Sequence, residues 1–411
     1  ITLPVKIPLL LIQGAEGIAV GLSTKILPHN FNEIIKACIS YLKDKPFSLY
    51  PDFGSGGLID ISDYKSGKRG GKVKVRSEIK IIDKTNLLIS SVPYGVSTTS
   101  LIDSILKAND SGKIKIKKIE DNSAEKIQIN VSLAKGISPN VAVDALYAFT
   151  NCETSISPNC CVINDNKPEF ISVNDLLRLS TENTVDLLKS ELEYSLQTLN
   201  NKWHNFNLER IFIEKRIYRH IEDCETWDSI IKTIDKKLLP YKNQFKKEIT
   251  EDDIVRLTEI KIKKISKYDH LKQIESIKTI EEDIAEVSNN IKHIVDYSIR
   301  YFEHLIKKYG EGKERKTSIQ EFDSILAKNV VVANKKLFIN KNEGFIGTKL
   351  KSDDFVCKCS NIDDIIVFLE DGRYIVTKID DKKYIGKNII YANVWKKNDE
   401  HMIYNVVYKD G

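Results

Sequence analysis

The 411-residue chain lacks several features that would place it in common classes. No run of 18 apolar residues occurs, so no membrane-spanning helix is expected. The apolar stretch Ile7 to Ile12 has no basic region before it and no small-residue cleavage site after it, which excludes a secretory signal and suggests a strand or buried segment. The seven cysteines (38, 152, 160, 161, 224, 357 and 359) are odd in number and scattered, with no Cys-x-x-Cys pair. A disulfide framework is therefore not expected, and a reducing, cytoplasmic setting is. Cys357 and Cys359 have no second pair or nearby histidine to complete a metal site. No Ser-His-Asp or Cys-His arrangement is readable. Residue 1 is Ile rather than Met, which leads us to expect a piece of a longer protein.

Acidic residues are missing from one stretch in particular. Between Lys65 and Arg76 lie Lys65, Lys68, Arg69, Lys72, Lys74 and Arg76, and no Asp or Glu. A second basic run is Lys113, Lys115, Lys117 and Lys118. The net charge is only +5, so these are local positive clusters on a mixed surface, and they suit a polyanion. The glycines of the first cluster do not make an ATP-binding loop. Gly67 and Gly71 are separated by three residues rather than four, and Val73 stands where a hydroxyl is required.

What is present is a soluble balance, 41% hydrophobic and 29% charged, in a length that predicts two to four domains. Residues up to about 178 read as mixed α/β, with period-two strands at Val73–Arg76 and Ile114–Lys117. Helices are expected at Asn32–Leu42 and Ser100–Lys107, and loops at Tyr50–Gly57 and Ser66–Gly71. From Val185 the apolar positions 185, 188, 192, 196, 199, 203 and 206 repeat at a coiled-coil period. With no Gly or Pro before Pro240, one helix from 182 to 238 is expected. A helical knob follows at Asp252–Ile265. A second seam runs from Ile277 through Ile294 to about Tyr309 and stops at Gly310. Two seams joined by a knob predict an antiparallel coiled-coil arm with a globular tip. Beyond a basic linker, strands are expected at Val330–Val332, Leu337–Asn340, Ile365–Glu370, Tyr374–Lys378 and Ile403–Tyr408. Asp371-Gly372 is a hairpin signal that recurs at Asp410-Gly411, as propeller-like blades would require.

The segment from residue 3 to residue 30 carries Lys6-Ile7-Pro8, Gly14-Ala15-Glu16-Gly17-Ile18-Ala19-Val20-Gly21 and Pro28-His29-Asn30. It resembles the A subunits of bacterial type II DNA topoisomerases, the family of topoisomerase IV and DNA gyrase A subunits. Further similarities are Pro51-Asp52-Phe53, the basic Gly67 to Val73 loop, Val92-Pro93-Tyr94, Arg256-Leu257-Thr258 and Arg315-Lys316-Thr317.

The resemblance implies a multidomain α+β fold. Residues 1–30 would close a winged-helix region and begin a tower, and residues 31–178 would form the mixed α/β tower that cradles DNA. Residues 179–310 would form the long antiparallel coiled-coil arm, with a dimerising exit-gate tip near 240–268. Residues 311–411 would be a linker and the start of a C-terminal β-pinwheel. It also implies a homodimer joined at the tip, ATPase B subunits that supply ATP and Mg2+, and double-stranded DNA as partner. The family's nucleophilic tyrosine lies in an Arg-Tyr pair for which we find no equivalent. Arg216-Ile217-Tyr218 and Arg300-Tyr301 fall on the arm seams, so no catalytic residue is expected in this chain. Details such as Gly14 to Gly17 and the long arm lean toward topoisomerase IV.

The DNA contacts implied are Ile18 as an apolar wedge between base steps, with Lys6, Lys25, His29, Lys65, Lys68, Arg69, Lys72, Lys74 and Arg76 on phosphates. From the residues alone, Ile18 would more simply be a core residue beside Val20, His29 or Asn30 a helix cap, and the basic loop a solvated one. A non-enzymatic coiled-coil DNA-bridging protein would explain the arm and the basic loops, but not Ile18 in its glycine setting.

Overall fold

A computed structural model describes residues 4–407 except 165, 266, 324–334, 351–353, 361–362 and 397–400. The chain is mixed α and β and divides into two compact units that interleave along the sequence. Ile1–Glu16, Ile26–Leu49 and Val162–Glu314 form the first; Gly17–Lys25, Tyr50–Cys161 and Arg315–Gly411 form the second. Among the described residues no helix is long and apolar enough to cross a membrane.

The first unit is built on the helix Val173–Glu214. Ser172 caps it, its side chain accepting from the Asp175 amide. At 42 residues the helix is about 63 Å long at 1.5 Å per residue. It packs beside the helix Lys267–Lys292. Trp203 Nε1 donates to Glu281, and Gln273 Nε2 donates to the Phe206 carbonyl and Glu209. Partners move down one helix as they move up the other, so the pair is antiparallel, as the two seams predict. Leu188 and Leu192 on one side and Ile277 and Ile280 on the other are buried along it.

The expected helix over 182–238 is not one helix. It begins nine residues earlier and ends at Glu214, after which Arg216 takes a left-handed conformation (φ 53°). No glycine or proline marks this break. Tertiary packing makes it: Ile217 turns inward and joins Leu208, Ile211, Phe212, Ile234, Leu238, Ile254 and Leu257 in the knob's own core. Trp227–Leu238 and Glu251–Thr258 are separate helices around that core. Arg216 and Tyr218 therefore lie in the knob rather than on a seam. The return path also breaks, at His293 (φ −112°, ψ 48°), before a further helix Ile294–Tyr309. The stretch Ile7–Ile12, expected as a strand or buried segment, runs into a short helix, Leu9–Gln13, on which Leu11 is buried.

Asp253 is the polar hub of the knob. Its carboxylate accepts from the Thr250 amide (3.0 Å), the Thr250 hydroxyl (2.9 Å) and Arg256 (2.6 Å), and lies 3.2 Å from His204 Nε2. Burial pushes the carboxyl's pKa up, but the Thr250 hydrogen bonds and His204 outweigh it and hold the pKa below the usual value. A carboxyl lowered on folding contributes stability above its unfolded pKa, and that stability is lost as pH falls through the folded value. Asp253→Ala is expected to destabilise the knob by about 2–4 kcal/mol at neutral pH. The deficit should shrink below about pH 4, where the parent loses the same contribution. Thermal melts of parent and variant at pH 7 and pH 3.5 measure both effects, and a deficit independent of pH would contradict the reading.

The helix Phe31–Leu42 belongs with these long helices, across the boundary expected at 178. Tyr41 donates to Glu182, Lys43 pairs with Glu303, and Asn32 Nδ2 donates to the Gly310 carbonyl. Asn30 caps this helix, accepting from the amides of Asn32 and Glu33.

In the second unit, one four-stranded sheet has the order Thr317–Ile319, Gly57–Asp60, Val73–Arg76, Glu153–Ile156, the first pair parallel and the others antiparallel. Another has the order Ile79–Ile81, Asn86–Ile89, Ile129–Leu133, Ile116–Asp121, all antiparallel. The alternation of buried and half-buried residues along Ile129–Leu133 sets one face toward a core. Helices Thr98–Asp110 and Pro139–Phe149 close that core with Leu101, Ile105, Ala145 and Leu146.

Arg315-Lys316-Thr317 is no loose linker. Arg315 donates to the carbonyls of Tyr50 and Pro51, Asp52 accepts the amides of Lys316 and Thr317, and the Thr317 hydroxyl accepts the Phe53 amide.

The C-terminal part of this unit is β-rich. Its sheets run Asp354–Cys359, Lys335–Asn340, Phe345–Gly347, Lys383–Tyr384 and Tyr374–Lys378, Asp364–Leu369, Ile389–Trp395 around one core that includes Leu337, Ile346, Ile365 and Val367. Asp371-Gly372 turns the hairpin as expected, with Gly372 at φ +82°. The strand expected at Ile403–Tyr408 does not form over 403–407. That stretch exposes Ile403, Val406 and Val407, so its apolar residues have no sheet to join. Val330–Val332, Tyr408 and Asp410-Gly411 lie outside the described residues.

Candidate functional site

The glycine-rich motif lies on a two-stranded hairpin, Ala15–Ala19 with Leu22–Ile26. Gly21 sits in its turn at φ +75°, a conformation that a β-branched neighbour such as Val20 could adopt only with strain. The hairpin presents apolar residues outward: Ile18 is 92% exposed and Val20 fully exposed. Ile18 is therefore not a core residue. Two bare β-branched side chains on a hairpin tip are a liability unless something covers them. Val20, which the sequence gives no reason to single out, shares this exposure with Ile18.

The base of the hairpin is fixed within the second unit. Lys25 and Asn159 exchange both backbone hydrogen bonds, at 2.8 and 3.0 Å. The next residue, Cys160, donates its amide to the Gly67 carbonyl. Gly67 belongs to the basic loop, so one short segment touches both the hairpin and the loop.

The basic loop is a chain of tight turns: Gly67 N to Tyr64 O, Lys68 N to Lys65 O, Gly71 N to Lys68 O and Lys72 N to Asp63 O. Lys65 and Ser66 take positive φ. A Cβ on Gly71 would lie 2.4 Å from the Tyr64 carbonyl oxygen, so only glycine closes this turn. Gly71→Ala is expected to open the loop and cost about 1–3 kcal/mol of stability, read as a lowered melting temperature; an unchanged melt would contradict this. With the backbone satisfied internally, Lys65, Lys68, Arg69 and Lys72 stand exposed, and Lys74 is half-buried on the strand beyond, opposite Asp60.

Three residues expected on phosphates are engaged elsewhere. His29 is 3% exposed, with Nδ1 3.3 Å from the Leu11 carbonyl. Arg76 donates to Glu153 at 2.6 Å and lies between the rings of Tyr147 and Phe322, so its charge is paired within the fold. Lys6 pairs with Glu191 at 2.8 Å and faces the Tyr301 ring; the Glu191 hydrogen bond raises its pKa against the effect of burial. The second basic run lies on and before the edge strand Ile116–Asp121, where Lys118 pairs with Glu120. Among the described residues no group of three or more His, Cys, Asp or Glu is placed to hold a metal ion.

The family of DNA gyrase/topoisomerase IV A subunits matches residues 1–303. A topoisomerase C-terminal domain found in Bacteroidota matches residues 336–411. The A subunit of DNA topoisomerase 4 from Borreliella burgdorferi is 37% identical over 406 residues, 98% of this chain and 64% of that protein. The DNA gyrase A subunit of Kosmotoga olearia is 27% identical, covering 84% of this chain and 44% of its own length. That of Leptospira biflexa is 25% identical, covering 92% and 49%. The chain thus spans between about two fifths and two thirds of the length of these relatives. With three quarters of its residues matched and its hairpin motif folded as an exposed apolar tip, the chain belongs to the family of DNA gyrase/topoisomerase IV A subunits.

Proposed function

We propose that this chain is the greater part of the DNA-breakage-reunion subunit of a topoisomerase IV-type enzyme, and that it binds and bends the duplex to be cut. The observation that carries this is Ile18, bare at the tip of a glycine-closed hairpin whose base is bonded to the same segment as the acid-free basic loop. An apolar side chain pushed between base steps unstacks them at a cost of a few kcal/mol, and wider protein contact with the bent duplex offsets it. Lys65, Lys68, Arg69 and Lys72, with Lys25, supply contacts to phosphate that are indifferent to sequence.

In this reading the folded second unit up to Cys161 is the tower and the C-terminal sheets begin a pinwheel. The antiparallel helices with their knob form an arm that joins two copies and acts as the exit gate. The strand-cutting tyrosine is supplied from outside these 411 residues. Tyr218 packs against Phe212 in the knob, and burial raises the pKa of Tyr301, which suits neither for nucleophilic attack. ATP and Mg2+ enter through the partner ATPase. The preference for topoisomerase IV rests on the 37% identity along nearly the whole chain.

The test is energy transfer across a duplex of about 30 base pairs labelled at both ends, a length well below the DNA persistence length and straight when free. Transfer that rises when the chain binds supports bending. Binding without any rise would rule it out.

A further inference from the structure

We infer that Asn159 is a positioning residue that holds the Ile18 hairpin in register with the basic loop, so that wedge and phosphate contacts act on one duplex. The inference rests on the DNA-bending reading above.

Asn159 follows the strand Glu153–Ile156 in the loop before Cys161–Asn164. Every polar group it offers but one is spent on the hairpin. Its amide donates to the Lys25 carbonyl and its carbonyl accepts the Lys25 amide. The same carbonyl lies 3.3 Å from the Thr24 hydroxyl, and Nδ2 donates to the Ser23 carbonyl at 2.7 Å. The Thr24 hydroxyl in turn accepts the Cys161 amide at 3.4 Å. Three consecutive residues of the second hairpin strand are therefore held by one asparagine. Its neighbour Cys160, 2% exposed, holds Gly67 of the basic loop from the adjacent position. Residues 159 and 160 thus tie the hairpin and the loop to one stretch of backbone.

The side-chain amide fixes the contact to the hairpin by its orientation. Asn159 Oδ1 is buried and has no hydrogen-bond partner among the described residues. Turning the amide over would place Oδ1 against the Ser23 carbonyl, so Nδ2 is the atom that faces it. That contact to Ser23 lies five residues from Ile18.

The inference predicts a split between bending and binding. In the full-length protein, Asn159→Ala and the near-isosteric Asn159→Asp, which cannot donate to Ser23, should bring energy transfer on the end-labelled duplex down to the level of Ile18→Ala. For Asn159→Ala, which adds no charge and keeps the backbone bonds to Lys25, the salt slope of binding should stay within about 0.5 of the parent, because Lys65, Lys68, Arg69 and Lys72 are untouched. The double variant Ile18→Ala/Asn159→Ala should bend no less than Ile18→Ala alone, since one residue acts through the other. Parental bending by both Asn159 variants, with Ile18→Ala straightening the duplex in the same series, overturns the inference alone. Loss of bending, salt slope and melting temperature together also overturns it, showing a merely structural residue. Parental bending by Ile18→Ala itself overturns the wedge and this inference with it.

Discussion

Replacing Ile18 by alanine is expected to return the bound duplex to its free end-to-end distance and to slow strand passage by the assembled enzyme by about 10–100-fold. The magnitude follows from what the side chain would do. Unstacking a base step costs a few kcal/mol, and a methyl group cannot stay between two bases as a four-carbon side chain can. Each 1.4 kcal/mol of lost support for the bent state is a tenfold loss in rate if bending precedes cleavage. Stability should hardly change, because Ile18 is 92% exposed and no core packing is removed. That separates the prediction from an ordinary core mutation: the melt stays put while the chemistry drops. Val20 beside it is equally bare, so Ile18→Ala/Val20→Ala should lose at least as much. A variant that keeps parental bending and parental strand passage would leave the hairpin tip without this role.

The second large effect belongs to the basic loop. Changing Lys65, Lys68, Arg69 and Lys72 together to alanine should reduce the salt slope of DNA binding by about 3–4, at roughly 0.9 for each phosphate no longer neutralised. At 0.1 M salt this amounts to weaker binding on the order of 10³-fold, nearly uniform across duplex sequences. The four side chains are exposed, and the loop's shape comes from backbone turns and Gly71 rather than from these residues, so folding should be retained. Arg76→Ala is the useful contrast. Its guanidinium is paired with Glu153 and stacked on two rings, so its loss should lower stability while changing the slope little. An unchanged slope in the fourfold variant would place the duplex elsewhere.

Local periodicity carried the helices and the antiparallel pairing of two of them. The seams from Val185 and Ile277 became the antiparallel pair, and Asn30 became the helix cap its position suggested. The end of the long helix at Glu214 was hidden, because the sequence there has no breaker and the knob core decides it. His29 and Arg76 show the same limit at the site. A basic side chain in or next to the glycine-rich segments looks free until its partners, Leu11 and Glu153, arrive from 18 and 77 residues away. Asn159 carried no signal at all, since it meets Lys25 only through a backbone bridge between residues far apart in sequence. Conversely, Pro51-Asp52-Phe53 and Arg315-Lys316-Thr317 read as separate motifs and proved to be two halves of one joint. Short apolar strands such as Asn86–Ile89 and Ile129–Leu133 give too few residues for period-two patterning to stand out.

The most direct test is an assay of strand passage. The full-length protein and its ATPase partner are incubated with ATP, Mg2+ and closed-circular plasmid, once supercoiled and once relaxed, and the products are separated on a gel. Relaxation of the supercoiled plasmid with no supercoiling of the relaxed one is the expected result and marks a topoisomerase IV-type enzyme. Negative supercoils in the relaxed plasmid would make it a gyrase, and no change in either plasmid would contradict a strand-passing role altogether.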